Sequence, residues 1–121
     1  MACNLLSGKK GLIFGALNEK SIAWKVAERA YEEGAEVVLT NAPVALRMGK
    51  VNKLAERLNT QVISADASKV EDLESLFKKS MEQFGGKLDL ILHSIGMSQN
   101  VRKGNPYDDT NYDYFQKTLD V

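Results

Sequence analysis

A doubly wound α/β fold built on a parallel sheet is predicted by three features of the sequence. Four short runs rich in aliphatic and β-branched residues, at 11–14, 36–40, 61–64 and 88–93, alternate with three stretches whose apolar residues recur at helical spacing. Most of the runs are apolar at consecutive positions, as in parallel strands covered on both faces by helices. A right-handed hand for every strand-helix-strand crossover then leaves the strand order 3-2-1-4. In such sheets ligands bind at the carboxyl ends of the strands.

Each element has its own signal. Strand one reads Gly11-Leu12-Ile13-Phe14, and the helix after it carries a stripe of Ile22, Ala23, Val26, Ala27 and Ala30, spanning about 21–33. Gly34 stands where a left-handed cap would close that helix. Strand two, Glu36-Val37-Val38-Leu39-Thr40, leads to a second stripe of Val44, Val51, Leu54, Ala55 and Leu58. After strand three, Gln61-Val62-Ile63-Ser64, the third stripe comprises Val70, Leu73, Leu76, Phe77, Met81 and Phe84. Ser68 with Glu71 three positions on reads as a capping box, and Gly85-Gly86 ends the helix before strand four. The stretch 94–109 is polar, with Gly96, Gly104, Pro106 and Asp108-Asp109, and reads as a long surface loop. Such loops are commonly functional or mobile. The stretch 112–121 begins a last helix.

Composition narrows the function. At 121 residues, 44% hydrophobic and 26% charged, the chain is one domain's worth of ordinary globular sequence at about 150 residues per domain. Its 16 basic and 16 acidic residues cancel, so the footprint of a nucleic-acid binder is missing. Cys3 is the single cysteine and His93 the single histidine, which excludes an intrachain disulfide and a zinc cluster and fits the reducing cytoplasm. No apolar run approaches the ~20 residues of a membrane span, and none forms a signal peptide.

Gly15 stands where strand one turns into helix one. There a missing Cβ lets a pyrophosphate approach the backbone while the helix amino end supplies N–H groups. The usual G-x-G-x-x-G fingerprint is absent, for Ala16-Leu17-Asn18-Glu19-Lys20 follows and then Ser21-Ile22-Ala23. Taken alone, the segment is equally consistent with a turn glycine and Ser21 as a plain N-cap. Asp66, taken alone, reads as a helix cap. His93, ending a buried strand, reads as a hydrogen-bonded structural residue without a catalytic role. Glu36 lies about twenty residues from Gly15, where dinucleotide folds place a ribose-binding acid, but it begins strand two at the wrong end of the sheet. The carboxyl end of that strand reads Thr40-Asn41-Ala42-Pro43, where Asn41 can bond a ribose hydroxyl. Arg47 or Lys50 could reach a 2′-phosphate.

Gly15-Ala16, Ser21-Ile22-Ala23, Asp66-Ala67 after strand three and His93-Ser94-Ile95-Gly96 after strand four together resemble the enoyl-acyl-carrier-protein reductases of bacterial fatty-acid synthesis. These belong to the short-chain dehydrogenase/reductase superfamily, with its Rossmann-like fold. The resemblance runs in order through nearly all of residues 1–121, which it casts as the dinucleotide-binding portion of a single reductase domain whose sheet is incomplete at the carboxyl-terminal side. It implies NADH as cofactor, with NADPH as the alternative; the absence of a basic residue beside Asn41 favours NADH. It places Gly15, Ala16, Ser21 and Ile22 at the ribose and pyrophosphate and Asn41 at the adenosine ribose. Asp66 and Ala67 fall at the adenine, and Ser94, Ile95 and Gly96 beside the nicotinamide ribose. Met97 and Ser98 border the substrate cavity. It further implies an enoyl-acyl-carrier-protein substrate and a homotetramer at full length.

The family's catalytic tyrosine, followed by lysine seven positions later, is absent: seven beyond Tyr31, Tyr107, Tyr112 and Tyr114 stand Val38, Tyr114, Leu119 and Val121. The shorter four-residue spacing fails too. The resemblance therefore assigns the catalytic pair to a carboxyl-terminal part outside these residues, and these residues alone are expected to be inactive. Two rivals are a noncatalytic dinucleotide-binding module that regulates through a partner, since fold does not imply chemistry, and a different oxidoreductase of the superfamily.

Overall fold

The computed structural model describes residues 3–96 and 99–121. Four parallel strands, β1 (Lys10–Phe14), β2 (Glu36–Asn41), β3 (Val62–Ser64) and β4 (Leu90–His93), form one sheet in the order β3-β2-β1-β4. This is the order expected. The register sets Phe14 beside Thr40 and His93, and Asn41 beside Ser64, so all four strands end near one level.

Side chains alternate across the sheet and feed two cores. Ile13, Val37 and Leu39 point to one face, where α1 (Ile22–Glu32) and α3 (Val51–Arg57) bring Trp24, Ala27, Leu54 and Ala55. Leu12, Phe14, Val38 and Ile63 point to the other, where α4 (Val70–Phe84) brings Leu76 and Phe84. Apolar residues on both sides of each central strand are what the consecutive apolar runs encode.

The helices depart from the sequence reading in particulars. In α1 the buried face is Ala23, Trp24, Ala27 and Ala30, while Ile22 is 74% exposed. The alanines permit a close approach to the sheet, and Trp24, only 2% exposed, fills the remaining depth while its indole N–H donates to Glu28 at 3.0 Å. The second stripe is two helices, α2 (Pro43–Met48) and α3, broken at Gly49; Val44 belongs to the first and is exposed. The Ser68–Glu71 capping box does not form. Helix α4 starts one turn position later, with Lys69 at its N-cap, because Ser68 donates its backbone N–H and its hydroxyl to Asp66 Oδ1.

Gly34 and Gly85, at φ +96° and +71°, close α1 and α4 as expected of glycine. Strand β4 is covered less than its sequence predicts, with Ile91 half exposed and His93 exposed. The His93 side chain makes no hydrogen bond among the described residues and instead lies 6.0 Å from the Phe14 ring. The expected loop at 94–109 contains α5 (Gln99–Arg102) and a 3-10 turn, Tyr107–Asp109. Asn100, 8% exposed, organises it: its Oδ1 accepts from Asn111 N at 2.8 Å and from Asn105 Nδ2 at 3.2 Å. Asn111 in turn caps α6 (Tyr112–Asp120).

The N-terminal segment is tied to the end of α1 by Glu33. Its Oε2 accepts from Cys3 N at 2.8 Å and Leu5 N at 3.2 Å, and Arg29 lies 2.6 Å from Oε1. Those N–H donors, then Arg29, hold the carboxyl below its ordinary 4.5. A lowered folded-state value stabilises the fold above pH 4.5, and the stabilisation disappears as the pH falls through that lowered value. Amide exchange at Cys3 and Leu5, corrected for intrinsic rates, is expected to accelerate as the pH drops below 4.5, and Glu33→Gln to abolish that dependence. Unchanged protection in acid would show that the segment is held by other contacts.

Candidate functional site: a groove at the carboxyl ends of the strands

The strands end on a groove of ≈ 970 Å³ whose walls come from all three βα turns, the β4 exit and the end of α6. Gly15, Asn41, Asp66, Ala67, Ser94, Ile95 and Gly96 all line it. The groove therefore gathers residues from widely separated parts of the chain, including Gly15, Asp66 and Ile95, expected to open onto one site. Ala16 is fully buried, and Ser21 and Ile22 stand at the start of α1; none of the three is among the residues that line the groove. Met97 and Ser98 lie outside the described residues.

The loop after β1 is held from several directions. Gly15 N donates to Thr40 O at 3.1 Å, continuing the sheet by one bond. The Asn41 side chain donates to Ala16 O at 2.9 Å and accepts from Ala42 N at 2.9 Å. Lys50 N donates to Leu17 O at 2.8 Å. Ser21 Oγ accepts from Leu17 N at 3.0 Å and Asn18 N at 3.1 Å. Ser21 occupies the N-cap position of α1, as read from the sequence, yet its oxygen is turned back to the loop and makes no bond to the helix. The first turn of α1 thus keeps N–H groups that no side chain caps among the described residues.

Two glycines of the groove differ in what they make room for. Gly15 has φ +95°, and a Cβ there would stand 1.9 Å from the Ser94 carbonyl oxygen. Its missing side chain admits the backbone leaving β4. At Gly96 a Cβ would meet nothing within 4 Å, so that position is open.

Asp66 combines two jobs. Its Oδ1 takes both Ser68 donors, which hold its carboxyl below the ordinary 3.8, and its own N–H donates to Asp72 Oδ2 at 2.8 Å. It closes the turn ahead of α4 rather than capping the helix itself. Its Oδ2 has no partner among the described residues.

The sequence reading missed the wall opposite. Helix α2 lines the groove with Val44, Ala45 and Met48, leaving neither Arg47 nor Lys50 in the lining; Lys50 lies 3.9 Å from Glu19. Pro43 at the first turn with Gly49 six residues on is the signal that marks so short a helix. Arg102, Lys117, Asp120 and Val121 at the far end were also not anticipated. Among the described residues no group of three His, Cys, Asp or Glu could hold a metal, and no helix is long and apolar enough to cross a membrane.

Comparison with known proteins identifies this arrangement. The family model described as enoyl-(acyl carrier protein) reductase matches residues 15–121. The chain is 34% identical over 121 residues to "Enoyl-[acyl-carrier-protein] reductase [NADH] 1" of Rhizobium meliloti (strain 1021), covering 99% of this chain and 44% of that protein. It is 35% identical over 118 residues to the NADH reductase FabI of Aquifex aeolicus, covering 97% of this chain and 43% of that protein. Among solved structures, the FabI-NADH complex from Alistipes finegoldii superposes with a TM-score of 0.94 at 70% identity, over 98% of this chain and 42% of that one. The chain spans less than half the length of these relatives. With the match covering residues 15–121 in the order that builds the groove, the chain belongs to the enoyl-(acyl carrier protein) reductase family.

Proposed function

We propose that this chain forms the NADH site of an enoyl-acyl-carrier-protein reductase. The observation that carries the reading is the uncapped first turn of α1, reached by the loop whose Gly15 and Leu17 line the groove. A helix amino end that spends its capping hydroxyl elsewhere keeps N–H donors and a favourable dipole for an anion such as a pyrophosphate. The groove fits the rest of a dinucleotide: apolar α2 side chains and Ala67 flank a purine, and the unpartnered Asp66 Oδ2 can accept from its amino group. Gly15, Ala16, Ser21 and Ile22 serve the pyrophosphate end, Asp66 and Ala67 the adenine, and Ser94, Ile95 and Gly96 the nicotinamide ribose. Asn41 lines the same groove at the end of β2, and Met97 and Ser98 would border the substrate. The absence of a basic side chain from the α2 wall, and the NADH named for the relatives, favour NADH over NADPH.

When bound, the reduced nicotinamide supplies hydride to the β-carbon of a trans-2-enoyl thioester. The residues of this chain hold and orient it; the family's tyrosine followed by lysine seven positions later is not found among residues 1–121. The substrate is an enoyl-acyl-carrier-protein, and we place the protein in the cytoplasm as a homotetramer. Exposed Tyr112, Phe115 and Leu119 along one stripe of α6 suit a buried face in such an assembly.

The product of the complete reading frame is expected to oxidise NADH on a crotonyl thioester. Tight NADH binding without turnover would favour the noncatalytic regulatory module instead. Asp66→Ala is expected to weaken NADH binding by about tenfold to a hundredfold, the scale of a lost charge-assisted hydrogen bond at about 1.5–3 kcal/mol. Asp66→Asn, which retains an acceptor for Ser68, separates the adenine role from the turn. If calorimetry finds NADH affinity intact in Asp66→Ala while the melting temperature falls, Asp66 acts only through the turn.

A further inference from the structure

We propose that Asn41 is a positioning residue for the dinucleotide, acting through the β1–α1 loop rather than by binding the ribose. The inference rests on reading the groove as a dinucleotide site. Asn41 is the last residue of β2, and its main chain is already committed to the sheet, its carbonyl accepting from Ala65 N at 3.1 Å. Its side chain reaches across to the neighbouring turn. Nδ2 donates to Ala16 O at 2.9 Å while Oδ1 accepts from Ala42 N at 2.9 Å.

A carboxamide alone among side chains of this length supplies that donor and that acceptor together. Aspartate keeps the acceptor but sets a carboxylate oxygen against the Ala16 carbonyl, and alanine loses both bonds. The bond to Ala16 falls between two others that hold the same loop, from Gly15 N to Thr40 O and from Lys50 N to Leu17 O. Ala16 is fully buried, so with the amide in place its carbonyl has no contact with solvent. Releasing its carbonyl frees the peptide that joins the fixed end of β1 to the segment bearing Ser21 and the uncapped turn of α1. The pyrophosphate donors then lose their alignment before any ligand arrives.

Direct ribose binding and positioning make opposite demands on the same substitutions. A ribose ligand tolerates Asn41→Asp, because a carboxylate accepts from both hydroxyls, as in many dinucleotide folds. A positioning residue does not. In the product of the complete reading frame, calorimetric NADH affinity is expected to fall at least tenfold in both Asn41→Asp and Asn41→Ala. Adenosine, which has the ribose but no phosphate, is expected to bind each variant within about twofold of the wild type by ligand-observed NMR. Parallel loss of NADH and adenosine affinity in Asn41→Ala, or undiminished NADH affinity in Asn41→Asp, would overturn the positioning role. A wild-type protein with no affinity for NADH would remove the dinucleotide reading and this inference with it. If Asn41→Asp fails to fold, the adenosine-to-NADH comparison in Asn41→Ala decides alone.

Discussion

Replacing Gly15 by alanine is expected to destabilise the protein by about 3 kcal/mol or more and to remove NADH binding. Two costs combine. A left-handed backbone costs a residue with a Cβ about 1–2 kcal/mol, and forcing an extra carbon into packed surroundings costs about 1–3 kcal/mol. Here the obstacle is the Ser94 carbonyl oxygen at 1.9 Å, which belongs to backbone and cannot swing aside like a side chain. Either β1 or the exit of β4 must move, and both carry groove residues. Gly96→Ala is the matched control. Its Cβ meets nothing within 4 Å, so stability should stay within about 0.5 kcal/mol while affinity for a ligand passing over Gly96 drops. Thermal unfolding and NADH titration of the two variants test this. A Gly15→Ala protein that melts with the wild type would mean that the loop and the β4 exit yield freely.

The second large effect concerns the 121 residues by themselves. Assayed as an isolated chain with NADH and a crotonyl thioester, they are expected to reduce at least a thousandfold more slowly than the product of the complete reading frame. General acid catalysis alone contributes about 10²- to 10⁴-fold, and no tyrosine here is followed at seven positions by the lysine that would serve it. Orientation of the nicotinamide would be lost as well, a further large share of the barrier. The isolated chain is also expected to self-associate. Strand β4 borders the sheet with Ile91 half exposed, and an unpaired apolar edge recruits other strands. Sedimentation of the isolated chain reads this directly. A monodisperse, cooperatively folding 121-residue monomer with measurable turnover would overturn the assignment of the catalytic pair to another part of the protein.

The strand order and the gathering of Gly15, Asp66 and Ile95 on one groove were legible from the residues in sequence order. Consecutive apolar runs specify strands covered on both faces, and the hand of the crossovers then places successive turns at one end of the sheet. Both are local or chiral constraints that need no knowledge of partners. What failed were features set by a distant group. Ser68 reads as a cap with Glu71, but Asp66 competes for its N–H and hydroxyl and wins them. The loop at 94–109 reads as irregular because its order comes from Asn100, whose bonds to Asn111 span eleven residues and leave no periodic trace.

Gly15 reads in the sequence as the glycine of a ligand loop, and the obstacle that a Cβ there would meet belongs to Ser94, nearly eighty residues on. Asn41 stood in the sequence as a side chain able to bond a ribose. Only the folded chain sets the Ala16 carbonyl 2.9 Å from its amide. Periodicity and chirality act along the chain and so can be read from it, while the partner of a polar side chain or the obstacle to a Cβ is chosen by packing between distant segments. In this chain the strand order and the edge of the sheet where the βα turns gather can be read along the residues, and only contacts between distant segments assign the groove residues their hydrogen-bond partners.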